Sequence, residues 1–265
     1  MLKPRLIPCL LLQNGMLVRS ETFSLHQVIG NPLHEVKRFN DWSVDELIYL
    51  DISRDGTYEH SRADHKVKPL VSSLEVLDAI AAACFVPLTF GGRIRTIDDM
   101  SQRFQRGSDK ITVNTAAVET PRLITDAAKR FGSQAVVVSI DVKRHVDGSA
   151  EVFTRGGQMA TGLLPAAWAA EAEDRGAGEI FLNSIDRDGT GEGYDIELIA
   201  SVTDAVGIPV IACGGVGRYE DFAPAILDGG ASAVSAANIF HFKELSDRNA
   251  KRAMRRAGVD VRLPV

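Results

Sequence analysis

Short, nearly unbroken apolar runs recur along the chain, each followed by a stretch with helical spacing. The runs are RLIPCLL (5–11), ELIYLDI (46–52), FVPLTF (85–90), KITVN (110–114), AVVVSID (135–141), EIFLNSI (179–185), IPVIAC (208–213) and SAVSA (232–236). Their β-branched character and lack of strict alternation predict strands covered on both faces, as in a parallel sheet. Asn31-Pro32 opens a predicted helix over 32–40, with Leu33, Val36 and Phe39 spaced for one buried face. Thr120 and Pro121 read as N-cap and first residue of a helix over 121–131, which Gly132 ends. Further helices are predicted over 71–84, 97–106, 164–174, 196–205, 218–228 and 243–257. Eight strand–helix units predict an α/β chain folded as one (β/α)8 TIM barrel, with a doubly wound open sheet as the alternative.

An internal repeat sharpens the choice. LDISRDGT (50–57) is echoed by NSIDRDGT (183–190), and VPLTFGGRIRTIDD (86–99) by IPVIACGGVGRYED (208–221). KITVNTAAV (110–118) is matched by SAVSAANIF (232–240). The offsets differ by ten residues, which places an extra segment near HSRADHKVKP (60–69), a candidate lid. The expected organisation is a single barrel over 1–265, with a two-fold repeat of half-barrels at about 1–132 and 133–265.

Composition narrows the function classes. The 265 residues carry 30 lysines and arginines against 35 acidic residues, a net charge of −5, so a basic nucleic-acid footprint is absent. No apolar run reaches the length of a membrane span, and the N-terminal stretch lacks a signal-peptide pattern. Cys9, Cys84 and Cys213 stand singly in apolar segments, which fits a reducing cytoplasm better than a disulfide scaffold. The six histidines show no ligand spacing, so no metal or cofactor is expected.

In barrels of this type the reactive groups gather at the C-terminal ends of the strands. Two glycine pairs, Gly91-Gly92 and Gly214-Gly215, sit there in equivalent positions of the two repeats. Each precedes a strand ending in a small-residue turn, Asn114-Thr115-Ala116 or Ala236-Ala237-Asn238. Exposed backbone amides in such turns bind phosphate without lysine, so the pair predicts a ligand with a phosphate at each end. Carboxylates at strand ends are Asp51, Asp141, Asp186 and Asp188; Asp141 projects directly from an apolar strand as a candidate general acid or base. At the opposite end Arg5, Glu46, Lys110 and Glu179 begin strands one, two, four and six. Spacing alone leaves two readings: four separate edge charges meeting solvent, or one charge-balanced ring closing the barrel floor.

IPCLLLQNG, ELIYLDI, DKITVNTAAVETPRLI, FGSQAVVVSIDVKR, SIDRDGTGEGYD, IPVIACGGVGRYEDF and AANIFHFKE together resemble the cyclase subunit of imidazole glycerol phosphate synthase, the HisF family, over essentially the whole chain. That resemblance implies a half-barrel-repeat TIM barrel paired as a heterodimer with a glutaminase of the HisH type. Ammonia from the glutaminase would cross the barrel to a bis-phosphorylated aminoimidazole-carboxamide nucleotide, in histidine biosynthesis. It assigns Asp141, Asp51 and Asn114 to catalysis. It assigns Gly91, Gly92, Thr115, Asp188, Gly189, Gly214, Gly215, Ala237, Asn238 and Arg19 to substrate and phosphate binding. It makes Arg5, Glu46, Lys110 and Glu179 an ammonia gate.

The departures from the family pattern cluster at the reacting end. Leu11 stands where the family carries its principal catalytic aspartate, Arg19 replaces a lysine, and Arg93 replaces a third glycine after Gly91-Gly92. Leucine cannot transfer a proton, and losing one general acid or base removes about 10²–10⁴ in rate. One expectation is therefore a working cyclase in which Asp141 and a neighbour cover the lost role. Another is a paralogue that delivers ammonia to a sugar amidotransferase acting on a nucleotide-linked sugar in surface-polysaccharide synthesis. A third, from a different class, is a non-catalytic scaffold that activates the glutaminase; a related two-phosphate isomerase barrel is a further contender. No glutaminase nucleophile is evident in the chain itself.

Overall fold

The apolar runs form a closed ring of parallel strands in the computed structural model, which describes residues 3–42, 44–53, 72–241 and 246–263. The barrel strands are β1 (Arg5–Gln13), β2 (Leu47–Asp51), β3 (Leu88–Gly91), β4 (Lys110–Val113), β5 (Val136–Arg144), β6 (Glu179–Ser184), β7 (Val210–Cys213) and β8 (Ala233–Ala236). Each pairs in parallel with its sequence neighbours, and β8 pairs with β1 to close the ring. That closure leaves none of these eight as an edge strand and excludes the open doubly wound sheet.

An outer layer follows from the helical spacings. Its members are α1 (Pro32–Asp41), α2 (Ser73–Ala81), α3 (Ile97–Gln105), α4 (Arg122–Phe131), α5 (Pro165–Asp174), α6 (Ile196–Thr203), α7 (Phe222–Leu227) and α8 (Ser246–Arg256). Asn31 accepts from the Leu33 amide at 2.8 Å and so starts α1, whose buried face carries Val36 and Phe39. Thr120 is not the cap of α4: Pro121 occupies that position in helical conformation, and the Thr120 carbonyl accepts from the Leu123 amide at 2.8 Å. The Thr120 carbonyl, not its hydroxyl, closes the first turn, and the cyclic Pro121 supplies the φ of the helix within it. Lys251 on α8 is buried and lies 2.9 Å from Asp45, which also accepts from the Leu6 amide at 2.8 Å. This ion pair fastens the last helix beside the start of β1.

Two hairpins rise from the C-terminal rim and were not anticipated. Met16–Glu21 and Leu25–Gly30 form the first, with Met16–Glu21 antiparallel to the end of β1. Ala150–Thr154 and Met159–Ala160 form the second, continuing from β5. Strand alternation splits the apolar residues into two packed groups. Leu6, Leu10, Leu12, Tyr49, Val138 and Ile140 face the helices, within the larger core. Ile7, Cys9, Leu11, Ile48, Val137, Phe181, Ile211, Cys213 and Ala233 pack together inside the ring. The segment 60–69 and the repeat member Asp55-Gly56-Thr57 lie outside the described residues. Among the described residues no helix is long and apolar enough to cross a membrane.

Candidate functional site

The four strand-start charges form one closed ring. Arg5 donates to Glu46 at 2.6 Å and also to Glu179, while Lys110 Nζ lies 3.0 Å from both Glu46 Oε2 and Glu179 Oε2. All four side chains are mostly buried at the barrel floor. The reading as separate solvated charges is therefore wrong: each cation bridges both carboxylates, and charge is balanced two against two.

Above the ring the lumen is apolar, then becomes polar toward the rim. Asp141 springs from β5 on the lumenal side, in register with Asn183 of β6. It is buried, and burial pushes its carboxyl up to about 7. A long 3.5 Å hydrogen bond from Ser139 opposes that rise, and the nearby Asp188 charge adds to it. A carboxyl poised near neutrality exchanges protons in both directions at low cost. Asn183 Oδ1, Thr112 Oγ1, Asn114 Nδ2 and Ser235 Oγ are buried without partners among the described residues. Register places Thr112 beside Gly91 and Ser235 beside Ile7. Asn183 and Ser139 were not singled out from sequence. Each is one polar letter within an apolar run, and only the alternation of lumenal positions could have flagged it.

Leu11 lies inside the ring with Cys9 and Val18, so β1 contributes an apolar surface there. Asp51 follows Leu50, which packs toward the lumen, so alternation directs Asp51 to the other face of β2. Its Oδ1 accepts from the Ser53 amide at 3.0 Å. A hydrogen bond with Cys213 and burial hold the Cys9 thiol well above its ordinary range, which leaves it a poor nucleophile.

The glycine pairs lie at strand ends but one residue out of step: Gly91 ends β3 whereas Gly214 follows β7, so Gly92 matches Gly214 and Arg93 matches Gly215. Gly92 and Gly214 have φ of +98° and +97°, and Gly215 has +108°. A Cβ on Gly92 would stand 2.0 Å from the Asp51 carbonyl oxygen, and one on Gly215 would stand 2.1 Å from that of Gly193. Both loops therefore need glycine for close backbone packing as well as for conformation. Asn114 precedes the short helix Thr115–Glu119 without capping it, and Thr115 Oγ1 accepts from the Arg155 amide at 3.0 Å. Ala237 opens a single helical turn, and Asn238 donates to the Ser20 carbonyl at 2.8 Å.

Asp188 and Gly189 hold the first hairpin over the rim. Asp188 Oδ2 accepts from Ser20 Oγ at 2.7 Å and from the Phe23 amide at 3.3 Å, and burial raises its carboxyl. A Cβ on Gly189 would stand 2.6 Å from the Ser20 carbonyl oxygen. Asp186 accepts from the Arg144 amide at 2.7 Å, a loop contact. Arg19 lies half-buried in the first hairpin, opposite Gln27, with no ion pair among the described residues. Among the described residues no group of three or more metal-ligating side chains comes together.

Fold and site together define a closed (β/α)8 barrel with a salt-bridged floor and a buried carboxyl, Asp141, toward its rim. The family model for "Histidine biosynthesis protein" matches residues 5–246. The chain is 47% identical over 262 residues to imidazole glycerol phosphate synthase subunit HisF of Hyphomonas neptunium, covering 99% of both chains. It is 42% identical over 262 residues to the same subunit of Alkaliphilus metalliredigens, covering 99% of this chain and 100% of that one. It is 45% identical over 264 residues to that of Caulobacter vibrioides, covering 99% and 97%. The chain belongs to the histidine biosynthesis protein family, among the HisF subunits.

Proposed function

We propose that the protein is the cyclase-type subunit of an imidazole glycerol phosphate synthase. Ammonia released by a glutaminase subunit docked on the floor passes the ring of Arg5, Glu46, Lys110 and Glu179 and crosses the lumen to a bis-phosphorylated nucleotide at the rim. The observation that carries this reading is the alignment, within one lumen, of a four-charge floor with a buried Asp141 whose carboxyl sits near 7.

The chemistry follows from that alignment. Ile7, Ile48, Val137, Phe181 and Ile211 make a passage that disfavours ions, so nitrogen crosses as neutral ammonia. At the rim an amine attacking an electrophilic carbon sheds a proton as the new bond forms. Asp141 accepts it in the carboxylate form and returns it when the leaving group departs. Unpartnered Asn183 Oδ1 and Asn114 Nδ2 offer an acceptor and a donor for orienting the substrate. Gly91, Gly92 and Thr115 cradle one phosphate, and Gly214, Gly215, Ala237 and Asn238 the other, one in each half of the repeat. Asp188 and Gly189 serve the site by seating the first hairpin. The three free thiols suit work in a reducing cytoplasm.

Leu11 favours a second reading. With β1 presenting leucine to the site, the same conduit can supply ammonia to a separate amidotransferase acting on a nucleotide-linked sugar. Turnover of the bis-phosphorylated nucleotide by the isolated chain with ammonium salt separates the two. The cyclase reading predicts turnover that falls about 10²–10⁴-fold in Asp141→Asn. No turnover, with activity gained in Leu11→Asp, overturns it in favour of the second reading.

A further inference from the structure

The loops after β3 and β7 match at their first position beyond the strand, Gly92 at φ +98° and Gly214 at φ +97°, and part company at the second. After Gly214 comes Gly215, at φ +108°. After Gly91-Gly92 comes Arg93, exposed and held at φ +57°, a conformation that side chains other than glycine rarely adopt. Its neighbours fix it there. Gly92 is pressed against the Asp51 backbone, Ile94 is buried, and the Arg103 guanidinium behind the loop donates to the Gly92 carbonyl at 3.4 Å and to the Asp99 carbonyl at 2.9 Å. Arg93 itself makes no hydrogen bond or ion pair among the described residues.

A strained backbone carrying a long cation, at a position where glycine would sit without strain, calls for a compensating contact. The ends of β3 and β4 are adjacent, with Gly91 opposite Thr112, so the Arg93 loop borders the turn of Asn114 and Thr115. We infer that Arg93 directly contacts the anionic group bound at the β3–β4 end of the rim and makes that end the tighter of two unequal phosphate sites. This rests on the reading of the rim as a site for a ligand with a phosphate at each end. The β7–β8 end, with Gly215 in the matching place, relies on backbone amides and Asn238 alone. A two-ended phosphate ligand is thereby given a direction in the site, and a bulkier or more highly charged group is favoured at the β3–β4 end.

The experiment is calorimetric titration of the full chain with inorganic phosphate and with pyrophosphate, alongside thermal unfolding, for wild type, Arg93→Gly and Arg93→Lys. The expected result is an unfolding temperature that rises in Arg93→Gly as the strain is relieved, while its tighter anion site weakens about tenfold. Arg93→Lys should retain part of that affinity, and pyrophosphate should lose more than phosphate. If Arg93→Gly binds both anions as tightly as wild type, the inference is overturned while the rim remains an anion site. If wild type binds neither anion, the two-phosphate reading falls and the inference falls with it.

Discussion

Arg5 and Lys110 share the same two carboxylates, so the barrel floor is closed by four mutually dependent charges. Removing one cation leaves two mostly buried carboxylates with a single partner. Lys110→Ala is expected to cost about 3 kcal/mol, since breaking one partner of a buried pair strands charge in a poor solvent. Thermal or urea unfolding checks this. A loss that vanishes in high salt would mean that the ring is an exposed surface feature instead.

Asp141 makes stability depend on pH in a defined direction. Burial raises its carboxyl to about 7 in the folded chain, against roughly 3.9 when unfolded. Between those values the folded state holds a proton that the unfolded state has lost. Stability therefore falls as pH rises from about 4 to about 7 and stays lower above that, by at most about 4 kcal/mol. Asp188, raised by burial as well, contributes in the same sense. Asp141→Asn should match wild type near pH 4 and exceed it in stability near pH 8, as read by unfolding midpoints across that range. Equal slopes in the two proteins would contradict the assignment.

Gly92 and Gly148 offer a paired test of the rim. A methyl group at Gly92 meets the Asp51 carbonyl at 2.0 Å, whereas nothing lies within 4 Å of one at Gly148. Both have positive φ, so backbone strain is common to the two. Gly92→Ala should lose at least about 2 kcal/mol more than Gly148→Ala by urea unfolding. A similar loss at both positions would show that the Gly92 loop yields easily and does not hold a fixed phosphate cradle.

Leu11 and Asp141 occupy neighbouring parts of the same lumen, one inside the apolar group and the other at its polar edge. A carboxylate introduced by Leu11→Asp enters that apolar group. It should destabilise the fold by about 2–4 kcal/mol near neutral pH, and by less at low pH, where it is protonated. Unfolding measured at both pH values checks the sign. A pH-independent loss would point to lost packing alone.

The strands of the barrel were legible because each is buried on both faces, which writes an unbroken apolar run into the chain. Boundaries shifted by two or three residues at the prolyl entries, where Pro87 and Pro209 precede the strands that begin at Leu88 and Val210, and at the exits of β1 and β5, which run on to Gln13 and Arg144 into the hairpins. The hairpins over 16–30 and 150–160 were illegible for the opposite reason. They stand on the rim with mixed exposure, and MLVRSE and LHQVIG carry no clean period. Asp141 was legible because a carboxylate ending an apolar strand is conspicuous. Asn183 and Ser139 were not, since one polar letter inside an apolar run does not by itself reveal which face it takes. The floor charges could be located but not joined, because strand starts separated by dozens of residues meet only when the ring closes.

The proposed route of ammonia can be followed directly by isotope. The direct measurement uses the complex of this chain with the proposed glutaminase subunit, supplied with glutamine labelled with heavy nitrogen at the amide, in the presence of excess unlabelled ammonium salt. Passage from the floor through the lumen predicts that the nitrogen incorporated into product keeps the glutamine label nearly undiluted. It also predicts that Lys110→Ala, which opens the floor, lowers label retention. A product carrying the isotopic composition of the bulk ammonium in wild type would contradict it.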